Sequence, residues 1–245
     1  MGCHPAELLH QALLAVDGRL PDILCFQDVE NIQAIRILNQ RYFADHYRTL
    51  TLLSLSLAQH PEVMERARAE VLRHAQAGPV TLEQLRQLTF LHQVTREVRR
   101  HHRIFASTFF DWVTEPFEFH EFHVPKGWRA AGGIYTTMQD TEVYTKPAFF
   151  DPDRFGPERA EDRREENSYV PQGGGPMEGH RCPGEDLTTV IMQIVGVMLL
   201  RNYTWELPPQ NLELNNESSP LPCDGLKVKF VRTPPEEPKG VRAGR

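Results

Sequence analysis

The stretch "YVPQGGGPMEGHRCPGED", residues 169–186, decides how the rest of the chain is read. Four glycines precede one cysteine, a fifth follows it, and His180 and Arg181 stand directly before the sulfur. An apolar helical pattern begins immediately afterwards, so Cys182 lies just ahead of a helix N-terminus, where partial positive charge favours a thiolate. Gly184 lets the backbone come close enough for amides to face the sulfur. A thiolate so placed suits a nucleophile, a redox thiol or a metal ligand. Gly173, Gly174, Gly175 and Gly179 together argue for something large and flat packed against the loop, which a small thiol site would not need.

The bulk of the sequence narrows the classes. With 245 residues, 40% hydrophobic and 24% charged, it reads as an ordinary soluble globular protein of one large or two small domains. A net charge of -6 argues against a nucleic-acid partner. No window approaches the roughly 18 apolar residues of a membrane span; the longest apolar run, residues 190–200, is broken by Gln193 and Gly196. The N-terminus lacks a basic-then-apolar signal, and Ala6 breaks the myristoylation pattern that Gly2 would open. Cys3, Cys25, Cys182 and Cys223 form no C-x-x-C pair. That spacing argues against a zinc site and for reduced thiols in the cytoplasm.

Periodicity predicts a mainly α fold with small separate β-sheets rather than a βαβ repeat. Helices are expected at 6–15, over a long pattern from about 29 to 59, and from Pro61 until Gly78-Pro79 ends the run. A short helix at 81–88 opens with a capping-box pattern, Thr81 and Gln84, and another helix covers 90–102. Residues 109–136 ("FFDWV", "FEFHEFHV", "WRAAGGIYTTM") read as short strands and turns. A long loop leads to a helix at 186–201, and a final hairpin is expected from "LELN" and "GLKVKFV". The tail from Thr233 reads as disordered.

Taken in order, "REVRR" (96–100), "FDPDRF" (150–155), "YVPQGGG" and "GHRCPGE", then a helix, resemble a cytochrome P-450, a haem-thiolate protein. "LAQHPEVMERARAEV" (57–71) and "HVPKGW" (123–128) resemble it too, and the likeness runs from about residue 30 to 232. A lone Glu-x-x-Arg or a lone cysteine carries little; the ordered set is specific. It implies the C-terminal portion of the cytochrome P-450 fold, a haem domain over 1–232 and a tail over 233–245. It implies Cys182 as the axial ligand of haem iron, whose electron push favours O–O cleavage. His180, Arg181, Gly175 and Gly184 are then expected around the haem, with His180 at a propionate; for Arg181 a solvated loop charge is an equal alternative. Glu97 and Arg100, one turn apart, would lock with Arg154 in a charge-paired fork.

The cysteine loop departs from the usual pattern. Gly175 and Glu178 occupy places where an aromatic and a glycine are usual, and the loop is longer. This version most resembles the fatty-acid peroxygenase branch, which uses hydrogen peroxide in place of an electron-donor protein. In that branch an arginine of the distal helix pairs with the substrate carboxylate. Arg41 falls at that place, although Tyr42 follows where the branch has proline. Asp45 and Thr49 loosely echo the acid-alcohol pair of oxygen-activating members, and Arg41 with Asp45 also fits a plain surface pair. The resemblance implies an apolar small-molecule substrate, carboxylated if the peroxygenase likeness holds, and a monooxygenase or peroxygenase reaction. It also leaves out most of the family's N-terminal half, so a second expectation stands beside the enzyme: a partial fold without a competent haem site. His101-His102 and "HEFH" (120–123) lack the helical spacing of a metal motif and read as packed or exposed histidines. Trp112, Trp128 and Trp205 read as core or edge aromatics, and Met192 and Met198 as core.

Overall fold

The computed structural model describes residues 24–25, 46–108, 110–176, 181–182, 184–215, 221–223 and 225–233. The chain runs β1 (Leu24–Cys25), α1 (His46–Gln59), α2 (Pro61–His74), α3 (Leu82–Gln87) and α4 (Thr89–His101). Four short strands follow: β2 (Asp111–Trp112), β3 (Phe117–Phe119), β4 (Phe122–Val124) and β5 (Arg129–Ala130). After one helical turn, α5 (Ile134–Thr137), come 3-10 turns at Pro152–Phe155 and Glu161–Arg163, then α6 (Glu185–Asn202), β6 (Tyr203–Glu206) and β7 (Lys227–Arg232). The architecture is helical with small, separate antiparallel sheets: β1-β7-β6, β2-β5 and β3-β4. The helix expected at 6–15, the start of the long pattern at 29 and most of the C-terminal tail lie outside the described residues.

The core forms where α1, α2, α4 and α6 bring their apolar stripes together. Leu53 and Leu57, Ala67 and Val71, Leu91 with Val94 and Val98, and Val197 with Leu200 are all fully buried. These are i, i+3/i+4 positions, the signature of a helix with one buried face. Gly196 lets α4 and α6 touch: a Cβ there would meet Leu91 Cδ1 at 3.1 Å. Met192 is buried and Met198 packs against the same cluster. Trp205 is buried, and its indole N–H donates to the Ser54 carbonyl at 3.1 Å, tying β6 to α1. Trp112 and Trp128 are exposed, with the Arg129 guanidinium over the Trp112 ring. Buried Arg68 on α2 reaches the carbonyls of Leu200 and Tyr203, satisfying orphan acceptors at the C-terminal end of α6.

Local signals place most helix ends. Pro61 opens α2, where its missing N–H costs nothing. Thr81 and Gln84 form the reciprocal cap of α3: Thr81 Oγ1 accepts from Gln84 N–H at 3.2 Å and Gln84 Oε1 accepts from Thr81 N–H at 2.9 Å. Replacing Thr81 with alanine should cost about 1 kcal/mol. A lower denaturant midpoint at unchanged slope would show it; an unchanged midpoint would mean that packing alone holds α3.

Three sequence expectations are corrected. The stretch "IYTT" is a helical turn, not a strand: Thr136 and Thr137 hydroxyls both donate to the Gly133 carbonyl, at 2.9 and 2.8 Å, and stabilise the turn against their β-branched preference. α2 stops at His74, two residues short of the expected end at Gln76, with Ala75 N–H closing on the Val71 carbonyl. The final strand pairs chiefly with Tyr203–Glu206 and Leu24–Cys25, while "LELN" contributes only the bridge Leu214–Pro222.

Candidate functional site

Two elements organise the site, the polar flank of α4 and the loop that ends at α6. On α4, Glu97 and Arg100 are fully buried and bonded twice, Nε to Oε2 at 2.7 Å and Nη2 to Oε1 at 2.8 Å. Arg154, carried by the 3-10 turn Pro152–Phe155, is also fully buried and donates from Nε to Glu97 Oε1 at 3.1 Å. The Asp151 amide donates to the same oxygen at 2.9 Å. Arg100 from the same helix and Asp151 and Arg154 from a distant segment thus share one buried carboxylate.

The remaining guanidinium donors are also used. Arg100 reaches the carbonyls of Met138 (2.9 Å) and Pro147 (2.8 Å), and Arg154 those of Thr145 (3.1 Å) and Phe149 (3.0 Å). Arg154 also meets a second buried carboxylate, Glu161, at 2.7 Å. Burial works to raise the Glu161 carboxyl, but hydrogen bonds from Arg159, Arg154 and Thr145 outweigh it and hold the group below its ordinary value. Tyr144 lies beneath both Arg100 and Arg154, and burial pushes its phenol well above the ordinary range. Glu161 and Tyr144 carry no sequence signal of this role, because their partners lie in other segments.

The cysteine loop folds against this frame. Cys182 is a half-buried free thiol, and its N–H donates to the Gln172 carbonyl at 3.2 Å. The Glu185 and Thr188 amides, in the first turn of α6, donate to the carbonyls of Cys182 (3.2 Å) and Gly184 (2.9 Å). Gly175 takes a left-handed backbone (φ +82°) that its lack of a Cβ permits, and its N–H donates to Asn167 Oδ1 at 2.7 Å. A Cβ at Gly184 would lie 3.6 Å from the Cys182 sulfur, so glycine keeps that flank of the sulfur open. Arg181, partly exposed, pairs with Glu185 at 2.9 Å. His180 and Arg41 lie outside the described residues, as does Asp45; Thr49 is buried in α1.

Beside the lock, His101 and His102 pack edge to face at 5.1 Å, and His60 stacks on Phe150 at 4.7 Å. The His102 Nε2 and Ser56 Oγ share a hydrogen bond of 2.8 Å. Burial, then the Arg100 charge, His60 and Arg154, lowers His101 to about 4. Burial, then His101, His60 and Arg100, lowers His102 to about 3. Both histidines are therefore neutral packing groups near pH 7. His123 pairs with Glu118 at 2.6 Å on the exposed β3-β4 hairpin.

Among the described residues no three His, Cys, Asp or Glu side chains gather as a metal site. Among the described residues Cys182 is thus a single donor, as a ligand to iron in a macrocycle would be. A single thiolate donor, glycines leaving space beside it and an anchored loop fit haem.

Comparisons with known proteins agree. The cytochrome P450 family model matches residues 48–234. A putative cytochrome P450 120 from Synechocystis sp. is 35% identical over 192 residues, 77% of this chain and 42% of that protein. Cytochrome P450 26B1 of Danio rerio is 35% identical over 199 residues, 77% of this chain and 38% of that protein. Abscisic acid 8'-hydroxylase 3 of Oryza sativa subsp. indica is 31% identical, covering 75% of this chain and 36% of its own. The solved structure of a retinoic acid bound cyanobacterial CYP120A1 superposes with a TM-score of 0.72 at 32% identity, over 77% of this chain and 43% of that one. The chain thus spans about two fifths of the length of these relatives.

Proposed function

The chain belongs to the cytochrome P450 family, corresponds to its C-terminal region, and by that membership implies haem held through a cysteine thiolate; from this premise we propose that Cys182 is the haem ligand of an oxygen-inserting enzyme acting on an apolar, carboxylated small molecule. Bound through a thiolate, the haem iron supplies the oxidising chemistry. The residues of this chain supply its setting. Cys182, half-buried ahead of α6, presents the sulfur. The amides of Glu185 and Thr188 fix the loop carbonyls, and Gly184 and Gly175 leave room for a flat ring. Glu97, Arg100 and Arg154 join α4 to the 145–161 segment, so that the segment behind the loop cannot drift.

The observation that carries this reading is the lone thiol in an open, anchored, glycine-lined loop. For the substrate, support comes from two relatives: one is solved with retinoic acid bound and another hydroxylates abscisic acid, both apolar carboxylic acids. Arg41 is the residue we assign to the substrate carboxylate. The lengthened loop favours hydrogen peroxide as the oxidant over oxygen with an electron-donor protein.

Reconstitution tests the reading. The protein should bind one haem per chain, and its reduced carbon-monoxide complex should show the red-shifted band of thiolate ligation, which Cys182→Ser should lose. Turnover of a fatty acid with peroxide alone, abolished by Arg41→Ala, would support the peroxide route; an absolute need for an electron donor would overturn it. The competing reading is a partial fold without a competent haem site, and Phe110, Trp112, Phe119, Phe122 and Trp128, all more than 60% exposed, favour it. Absence of stoichiometric haem would decide for that reading.

A further inference from the structure

Arg99 is not part of the Glu97–Arg100–Arg154 fork, although it stands between two of its members. It is 3% exposed, yet Nε and Nη1 have no hydrogen-bond acceptor among the described residues. Nη2 donates to Thr189 Oγ1 at 2.9 Å, and Nη1 lies 4.0 Å from Glu185 Oε1. Glu185, itself 8% exposed, is the hub on the loop side. Its other carboxylate oxygen accepts from Arg181 Nε at 2.9 Å, its amide donates to the Cys182 carbonyl at 3.2 Å, and its carbonyl accepts from Thr189 Oγ1 at 3.1 Å. One carboxylate thus stands between a guanidinium buried on α4 and the residue directly before Cys182.

A buried arginine with two idle donors is a poor way to stabilise a core; an apolar side chain of similar volume would serve as well or better. What the charge adds is direction. The loop is rich in glycine, and its backbone has many conformations to choose from. A fixed charge on a rigid helix, acting through Glu185, selects one of them. We propose that Arg99 and Glu185 form a clamp that holds the Cys182 loop against α4, which makes Arg99 a positioning residue for the thiolate. The role toward a haem ligand rests on the function proposed above; the clamp on the loop does not.

The test uses a Cys3→Ser, Cys25→Ser, Cys223→Ser background, in which Cys182 is the only thiol, and follows alkylation by iodoacetamide against pH in the haem-free protein. The plateau at high pH reads access to the sulfur. Arg99→Met and Glu185→Gln should each raise that plateau roughly tenfold, as expected when buried charged contacts restraining a local opening are lost. Arg99→Lys should return part of the way. After reconstitution, both variants should show less thiolate carbon-monoxide band at equal haem content. Unchanged plateaus in variants that still melt cooperatively would overturn the clamp. If Arg99→Met does not fold, Glu185→Gln and Thr189→Val decide by the same criterion. If the parent takes up no haem, the proposed function fails while the alkylation result still stands.

Discussion

Replacing Glu97 with leucine is expected to cost about 3–5 kcal/mol, a large fraction of the stability of an ordinary protein of about 5–15 kcal/mol. The glutamate is fully buried between two fully buried guanidiniums, and no solvent reaches the charges it balances. Leucine fills similar space but leaves Arg100 and Arg154 facing each other without an anion. The Asp151 amide loses its acceptor as well. Soluble yield and chemical unfolding of the variant measure the effect. A combined Glu97→Leu, Arg100→Met, Arg154→Leu variant should recover much of the loss, since removing a whole buried ionic group is far less harmful than breaking it. The recovery should be partial, because buried Glu161 loses its Arg154 partner and the carbonyls of Met138, Pro147, Thr145 and Phe149 lose donors. A single variant as stable as the parent would mean that the fork contributes nothing to folding.

Stability should also fall steeply in mild acid. His92, His101 and His102 have folded-state values of about 4, about 4 and about 3, lowered first by burial, below the ordinary 6.5 of an unfolded histidine. Between those limits the unfolded chain binds protons that the folded chain refuses, so stability is full above about pH 6.5 and drops as pH falls toward 4. Three protons refused over two pH units amount to about 8 kcal/mol. Unfolding free energies measured from pH 7 to 4 should therefore slope upward with pH by nearly three protons. His102→Gln, which can keep a bond to Ser56, should remove about one of them. A flat profile in that range would show that these histidines already carry charge in the folded protein.

The sequence exposed these features unevenly, for physical reasons. Glu97, Arg100, Arg154 and Cys182 stood out because each sits in a short pattern, one helical turn or one turn of loop, and the patterns come in a fixed order. Arg99 and Glu185 did not, since an arginine beside an arginine on a helix reads as solvated until a partner from another segment covers it. Glu161 was hidden in the same way. At residues 134–137 the β-branched composition pointed to a strand, and hydroxyls bonded to the Gly133 carbonyl decided for a turn. The strand at Tyr203–Glu206 follows α6 without a break or a glycine. No local signal separates it from the helix; only its pairing with β7 does.

The strand order β1-β7-β6 has a consequence for the newly made chain. β7 is the last strand among the described residues, yet it lies in the middle of its sheet and pairs with both neighbours. Leu24–Cys25 and Tyr203–Glu206 therefore have no common surface until residues 227–232 have left the ribosome. The sheet is a late event that joins the two ends of the sequence, while the α1, α2, α4 and α6 helices can pack beforehand. Until then the face of Trp205 that Phe230 covers remains open to water, and a stall or nick ahead of β7 would leave a helical body with a sticky, unsealed edge.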